Sequence, residues 1–385
     1  MGISRRSVIR AAGGAGLALI GTGGYFAVTR TPARAVAPWQ GIQGVPHSDT
    51  RLDAFRHAIL APNPHNRQPW MIRLSGRDQA AIYCDLDRRL PETDPFDRQI
   101  LIGFGCFLEV ARIAAAERGV RMEAIAFPEG EPANRLDRRP IASVRFVADP
   151  SVAKDPLFRS IPHRRSNKQP FDASRPVEAR VLEALVARQV PEAKIATSAD
   201  DTLVRTLRAL TWEAWKIELE TQRTWLESVN LMRIGKSEIE ANPDGISIGG
   251  PFLEALSLVG QFSREQMARK GTIAYNAGID RYRSIISTGM AYGWIVTDSN
   301  TRRDQLAAGT AFVRMNLEAT RLGLGVHPVS QALQEFPEMA TTLHSLGTTL
   351  GLRPEQRVQM LTRLGYGVVI GQTPRWPLES RLMGA

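Results

Sequence analysis

The sequence predicts an α+β fold, and three observations carry that expectation. Two alternating segments, Met71 to Leu74 and Ala80 to Cys84, flank Ser75-Gly76 in the pattern of a strand hairpin. Two long stretches, opening at Asp94-Pro95 and at about Arg302, hold apolar residues at helical spacing and close on Gly119 and Gly323. No G-x-G-x-x-G fingerprint follows a strand, so a doubly wound dinucleotide-binding sheet is not expected.

Taken in order, residues 1–35 read as a leader and residues 36–50 as a flexible lead-in rich in Pro, Ala and Gly. A first half over 51–150 then holds a helix from about Arg51 to Leu60, the hairpin, the first long helix, and strand-like runs at Met122 to Phe127 and Ile141 to Val147. A second half over 155–385 holds a helix at about Arg175 to Arg188, a strand near Ile195 and a long helical region from Leu203 to about Ile239. A Gly/Pro-rich break at 242–251, more helix, a strand at Ala291 to Thr297, the second long helix and a final strand within Val358 to Ile370 follow. Residues 225–285 match nothing standard and read as a helical insertion.

The two long helices repeat each other. Shifted by 204 positions, Arg98, Ile102, Gly105, Leu108, Ile113, Ala115 and Gly119 fall on Arg302, Leu306, Gly309, Phe312, Leu317, Ala319 and Gly323. Seven similar pairs at one offset suggest a diverged internal duplication, whose halves would pack about a pseudo-twofold axis; two ordinary amphipathic helices are the bland alternative.

Composition fits a globular chain, with 43% hydrophobic and 23% charged residues. The net charge of +10 is unevenly placed: Arg5, Arg6, Arg10, Arg30 and Arg34 all lie in the first 35 residues, which hold no acid. The remaining +5 has no aromatic-basic stripe, which gives no case for nucleic acid. Cys84 and Cys106 have no metal-ligand spacing and are expected as two packed thiols.

Ser4-Arg5-Arg6-Ser7-Val8-Ile9-Arg10 precedes an uncharged run from Ala11 to Thr29, and Ala33-Arg34-Ala35 then supplies a small-x-small cleavage box. This order resembles a twin-arginine export signal, with the uncleaved membrane anchor as the alternative. It predicts passage of the folded chain through the twin-arginine machinery to the periplasm and a mature start near Val36.

Two segments carry the candidate chemistry. Leu60-Ala61-Pro62-Asn63-Pro64-His65-Asn66-Arg67-Gln68-Pro69-Trp70 combines three prolines, which fix the backbone, with amide side chains that each donate and accept, as a flat heterocycle with carbonyl and NH edges requires. The bland reading is a helix-ending loop with a core Trp. His163-Arg164-Arg165-Ser166-Asn167-Lys168 places three cations and a hydroxyl in five residues, enough to surround a phosphate; the bland reading is a solvated basic loop.

Together the segments resemble the nitroreductase superfamily, the first its Pro-Ser-x-x-Asn-x-Gln-Pro-Trp motif and the second its Arg-x-Ser-x-Lys/Arg opening. Gly365-Tyr366-Gly367 followed by Pro374-Arg375-Trp376-Pro377 resembles the closing strand and the last phosphate-binding arginine. The resemblance implies mainly antiparallel sheets flanked by helices, joined as an internal pseudo-dimer, and one FMN per chain. It places Arg164, Arg165, Ser166, Lys168 and Arg375 at the phosphate and ribityl end and Pro62, Asn63, Pro64 and Asn66 along the isoalloxazine, with Gln68 bracing the loop. Asn63 departs from the usual Ser.

Because the two motifs sit in different halves, and His47 to Phe55 offers only Arg51 as a counterpart cation, the chain resembles the fused, one-flavin, Acg-like branch, with one complete and one vacant site. His327-Pro328 is expected to face the vacant site, and the flavin-edge contact to fall near Glu123 to Ile125, where the match is too poor for assignment. No catalytic side chain is nominated. The implied function is an FMN-dependent oxidoreductase passing electrons from an unidentified donor to a nitroaromatic, quinone or similar small acceptor. The competing reading is an FMN-sequestering protein with little turnover. Fused halves leave room for a monomer.

Overall fold

A computed structural model describes residues 32–384. The twin-arginine motif and the uncharged run lie outside the described residues. The chain opens with α1 (Ala33–Gly41) and α2 (Thr50–Ala58), followed by the β1 (Trp70–Ser75) and β2 (Gln79–Cys84) hairpin. The long α3 (Arg98–Glu117), β3 (Val120–Ala126) and β4 (Ala142–Ala148) complete the first half. The second half begins with α4 (Ala179–Val186), β5 (Lys194–Ser198), α5 (Asp201–Glu220), α6 (Gln222–Asn230), β6 (Met232–Ile234) and α7 (Gly235–Ala241). It goes on through β7 (Ile246–Ile248), α8 (Pro251–Leu258), α9 (Arg264–Ala268), α10 (Ile273–Ser287), β8 (Ala291–Thr297), α11 (Arg302–Arg321), β9 (Gly325–Pro328), α12 (Ala340–Thr349) and β10 (Arg357–Gly365).

The strands form two four-stranded sheets of order β1-β2-β4-β3 and β5-β8-β10-β9, every pairing in them antiparallel, so the α+β expectation holds. Read in chain order, the two sheets have the same topology, except that α5 to α10 are inserted between the first two strands of the second. The insertion is therefore longer than 225–285, and its small β6–β7 pair is parallel. The hairpin turns at Gly76, whose φ of 52° suits a residue without Cβ. Arg51 pins that turn by donating from Nη1 to the Ser75, Gly76 and Gln79 carbonyls.

Between the sheets, α3 and α11 cross at their glycines. A Cβ on Gly105 would lie 2.0 Å from the Leu306 carbonyl oxygen, and one on Gly309 would lie 2.1 Å from that of Ile102. These contacts are reciprocal at the 204-residue offset. The paired arginines at the helix starts are reciprocal too: Arg98 donates to the Leu333 and Gln359 carbonyls of the second half, and Arg302 to the Phe96, Pro132 and Asn134 carbonyls of the first. Cys106 sits in the crossing with its thiol donating to the Gly309 carbonyl, and Cys84 is buried and free, so both are packed thiols. α3 is long and apolar enough to cross a membrane, but it is the buried core helix.

Several expectations need correction. The lead-in is α1, a helix docked by buried Ala35 and Trp39, because Trp39 donates from its indole to the Thr373 carbonyl and the Ala35 carbonyl accepts from the Arg375 amide. Its Pro, Ala and Gly content suggested flexibility, yet tertiary burial overrides a weak local preference. The cleavage box therefore lies in the first turn of a packed helix, and a cut after Ala35 would remove an acceptor. The 203–239 region breaks after Glu220 and again at β6. The C-terminal tail returns to the first half, where the Met383 amide donates to the Ile72 carbonyl.

Candidate functional site

The Pro62–Asn66 loop leaves α2 in a strained path: His65, Asn66 and Gln68 all have positive φ, at 45°, 52° and 49°. Side chains hold it there. Asn63 accepts from the Gln68 amide at 2.8 Å and donates to the Ala61 carbonyl, and Asn66 donates to the Pro374 carbonyl while accepting from Arg375. Gln68 is the brace expected of it, donating to the Asn66 and Pro243 carbonyls and accepting from the Trp376 amide. Thus the amides of Asn63 and Asn66 are engaged in shaping the loop, and half-buried Pro64 and the backbone edges remain to face a ligand.

The basic segment comes to the same place from the other half. Arg164 and Arg375 share one acceptor, each donating to the Leu60 carbonyl at 3.1 Å. Arg375 also donates to the Ile59, Ala61 and Pro374 carbonyls and to Asn66 Oδ1, so its guanidinium is fully occupied. The expectation that it hydrogen-bonds phosphate is replaced by a bracing role with charge alone turned to the site. Arg164 differs, since its Nη1 is buried without a partner, as is Arg165 Nε.

The guanidinium carbons of Arg164, Arg165 and Arg375 lie 5.9, 4.6 and 5.5 Å from the ring centre of Trp39, which sequence reasoning passed over. Its signal was an aromatic in a segment read as a linker. Among the described residues no carboxylate pairs with any of the three. Burial lowers the Arg164 pKa to about 10, with the Arg165 charge adding to it; burial and both neighbours push Arg375 well down.

Lys168 links the two motifs. It is solvent-accessible yet enclosed enough that desolvation lowers its pKa, with Glu218 opposing, and its charge acts on both His65 and His327. Burial, then Lys168 and Arg67, bring His65 down to about 3, and its buried Nδ1 has no partner. His327 is buried on β9 and accepts from Arg363 Nε at 2.8 Å. Arg363 also donates to the Asn167 and Gln169 carbonyls, which sets His327 next to the basic segment. Glu123 to Ile125, where the flavin-edge contact was left unassigned, are exposed on β3, the edge strand of the first sheet. In the first half, Arg51 is neutralised by Asp49 at 2.7 Å and occupied by the hairpin turn.

Three close cations without a counter-charge, two of them with an orphaned buried N–H, and a partly enclosed lysine make a donor set suited to a phosphate. The adjoining rigid loop presents carbonyl and amide edges to a planar ring. An FMN-sized ligand fits this chemistry, with Arg164, Arg165 and Lys168 as its free donors and half-buried Ser166 among them.

No family model matches the chain. It is 23% identical over 351 residues, 87% of this chain and 93% of the relative, to the Mycobacterium tuberculosis protein named "Putative NAD(P)H nitroreductase Rv3131". It is 33% identical over 127 residues to "Putative NAD(P)H nitroreductase acg" of the same organism, a match spanning 32% of this chain and only 36% of that relative's length. Among solved structures, the FMN-dependent nitroreductase NfnB of Mycobacterium smegmatis aligns with TM-score 0.36 and 14% identity, covering 59% of this chain and 96% of that one. Over most of its length, then, the chain is similar to proteins carrying the nitroreductase name.

Proposed function

We propose that the protein is an FMN-dependent oxidoreductase of nitroreductase type with one flavin site per chain, formed between two halves that descend from an internal duplication. One observation carries the site: Arg164, Arg165 and Arg375 converge on Trp39 without a carboxylate, beside the strained Pro62–Asn66 loop. Equal strand order in the two sheets and the reciprocal Gly105/Gly309 crossing support the duplication. Neutralised Arg51 supports a single site. Bound FMN would supply two-electron transfer to a nitroaromatic, quinone or similar acceptor. Arg164 and Arg165 would hold its phosphate through their unpartnered N–H groups, with Lys168 adding charge and Ser166 a hydroxyl. Pro62 and Pro64 would keep the ring plane against a loop that Asn63, Asn66 and Gln68 hold fixed.

Export of the folded holoprotein by the twin-arginine route, with a donor resident outside the cytoplasm, is part of the same proposal and rests on the order of residues 4–35. Anaerobic reduction of the bound flavin by dithionite or NAD(P)H, followed by a nitroaromatic or quinone, tests turnover. Reoxidation by either acceptor supports the enzyme; flavin that reduces but that no acceptor reoxidises supports sequestration.

A further inference from the structure

The insertion carries an apolar helix with nothing described against its outer face. In α8, Phe252 is 73% and Leu258 71% exposed, and Val259, just beyond, is 68% exposed. Ala255 is exposed and Leu253 and Leu256 are half-buried on the same short helix. Its one charge, Glu254, is turned inward, where Oε1 accepts from the Lys236 amide, so the outward face is without charge. Bonds tie the next segment to the end of this helix, with Gln266 Nε2 donating to the Gly260 carbonyl and Thr272 Oγ1 to that of Gln266; Ile273, 79% exposed, follows. Exposed Glu265, Arg269 and Lys270 lie in the stretch between Gly260 and Ile273. An uncharged apolar helix face, in a stretch whose exposed charges are cationic by one, is the composition of a surface that lies on an anionic bilayer.

Where the described chain begins gives a second, independent argument. At the start of α1, the Arg34 amide and guanidinium donate to Glu240 at 3.2–3.4 Å. Glu240 is on α7, and the other end of α7 rests against α8, since a Cβ on Gly235 would lie 3.1 Å from Glu254 Cγ. Five residues of helix separate the two contacts, roughly 8 Å. The 19 uncharged residues from Ala11 to Thr29, preceded by Arg5, Arg6 and Arg10, thus come just before a helix that contacts α7, the neighbour of the exposed α8.

We propose that α8, Val259 and Ile273 form a membrane-docking surface, inserting apolar side chains into the interface of an anionic bilayer, with Arg269 and Lys270 at the headgroups. The occupant is the lipid surface, not a protein. The site is close behind it: the segment after α7 meets the candidate flavin loop, the Gly245 amide donating to the Asn66 carbonyl and Gln68 to that of Pro243.

The test uses the full chain with Val259→Cys labelled by an environment-sensitive fluorophore, which is feasible because Cys84 and Cys106 are buried. Asp298→Cys, exposed on another element, is the control. With phosphatidylglycerol vesicles the Val259 label is expected to shift to the blue and become accessible to lipid-borne quencher, while the Asp298 label stays in water. Phe252→Ser with Leu258→Ser should reduce the quenching at Val259 about tenfold or more with the flavin content unchanged. Vesicle-bound protein whose Val259 label stays in water would overturn the proposal, because the leader alone would then account for binding. A blue shift that appears without vesicles and rises with protein concentration would overturn it in favour of a second copy. Neither readout depends on flavin, so failure here leaves the flavin reading intact.

Discussion

At the scale of single residues, arginines that look alike in sequence have different duties. Arg164 has an N–H to spare and Arg375 has none, so their substitutions should differ. Arg164→Ala is expected to weaken FMN by about one to two decades with little change in melting temperature, because a charge-assisted hydrogen bond is worth roughly 1.5–3 kcal/mol. Arg375→Ala should lower the melting temperature of the flavin-free protein as well, since the Ile59 carbonyl loses its side-chain donor and those of Leu60, Ala61 and Pro374 lose one of two; fluorescence titration and calorimetry on the two variants separate these outcomes.

Glu218 gives a pH dependence. It is buried with Ser228 and Gln334 as neutral donors, and desolvation raises its pKa to about 6, with Glu227 adding to the rise. A carboxyl raised on folding contributes stability that is complete below its unfolded pKa near 4.5 and is lost as pH climbs through 6. The loss is about 2 kcal/mol by pH 7. Glu218→Gln should flatten that part of the stability profile; denaturant midpoints at pH 4.5 and 7 that fall as steeply in the variant would contradict the assignment. Asp94, raised to about 7 chiefly by burial, adds its own slope in both proteins.

At the scale of elements, the sequence was most legible where a period is long and its end is marked. The two long helices, the hairpin and the strand at Ala291 to Thr297 follow from apolar spacing, a Ser-Gly turn and closing glycines. β9, α12 and α1 were not foreseen: the first is four residues long, and α1 is held by Trp39 and Ala35 against distant chain, which no local pattern encodes. Both candidate segments were legible, but the sharing of Leu60 between Arg164 and Arg375 belongs to tertiary structure alone.

The helix crossing predicts an asymmetry among glycines. Gly105→Ala or Gly309→Ala forces a methyl into facing backbone and should cost about 3 kcal/mol or more. Gly323→Ala has open space and only its positive φ to oppose it, about 1 kcal/mol. Equal losses in thermal unfolding would show that the crossing is not the tight joint between the halves.

At the scale of the whole molecule, the two halves exchange arginines and a C-terminal tail, and the proposed site draws on both. On the proposed export route, replacing Arg5 and Arg6 with Lys is expected to hold the chain in the cytoplasm with its flavin bound, as cell fractionation would show; unchanged fractionation would contradict the twin-arginine reading. The central claim, one flavin held between unlike halves, is tested most directly by counting noncovalent FMN released per chain from reconstituted wild-type protein and from Arg164→Ala with Lys168→Ala. The account predicts one FMN for the first and little or none for the second. Two per chain, or a wild-type protein that stays colourless after FMN is added, would contradict it.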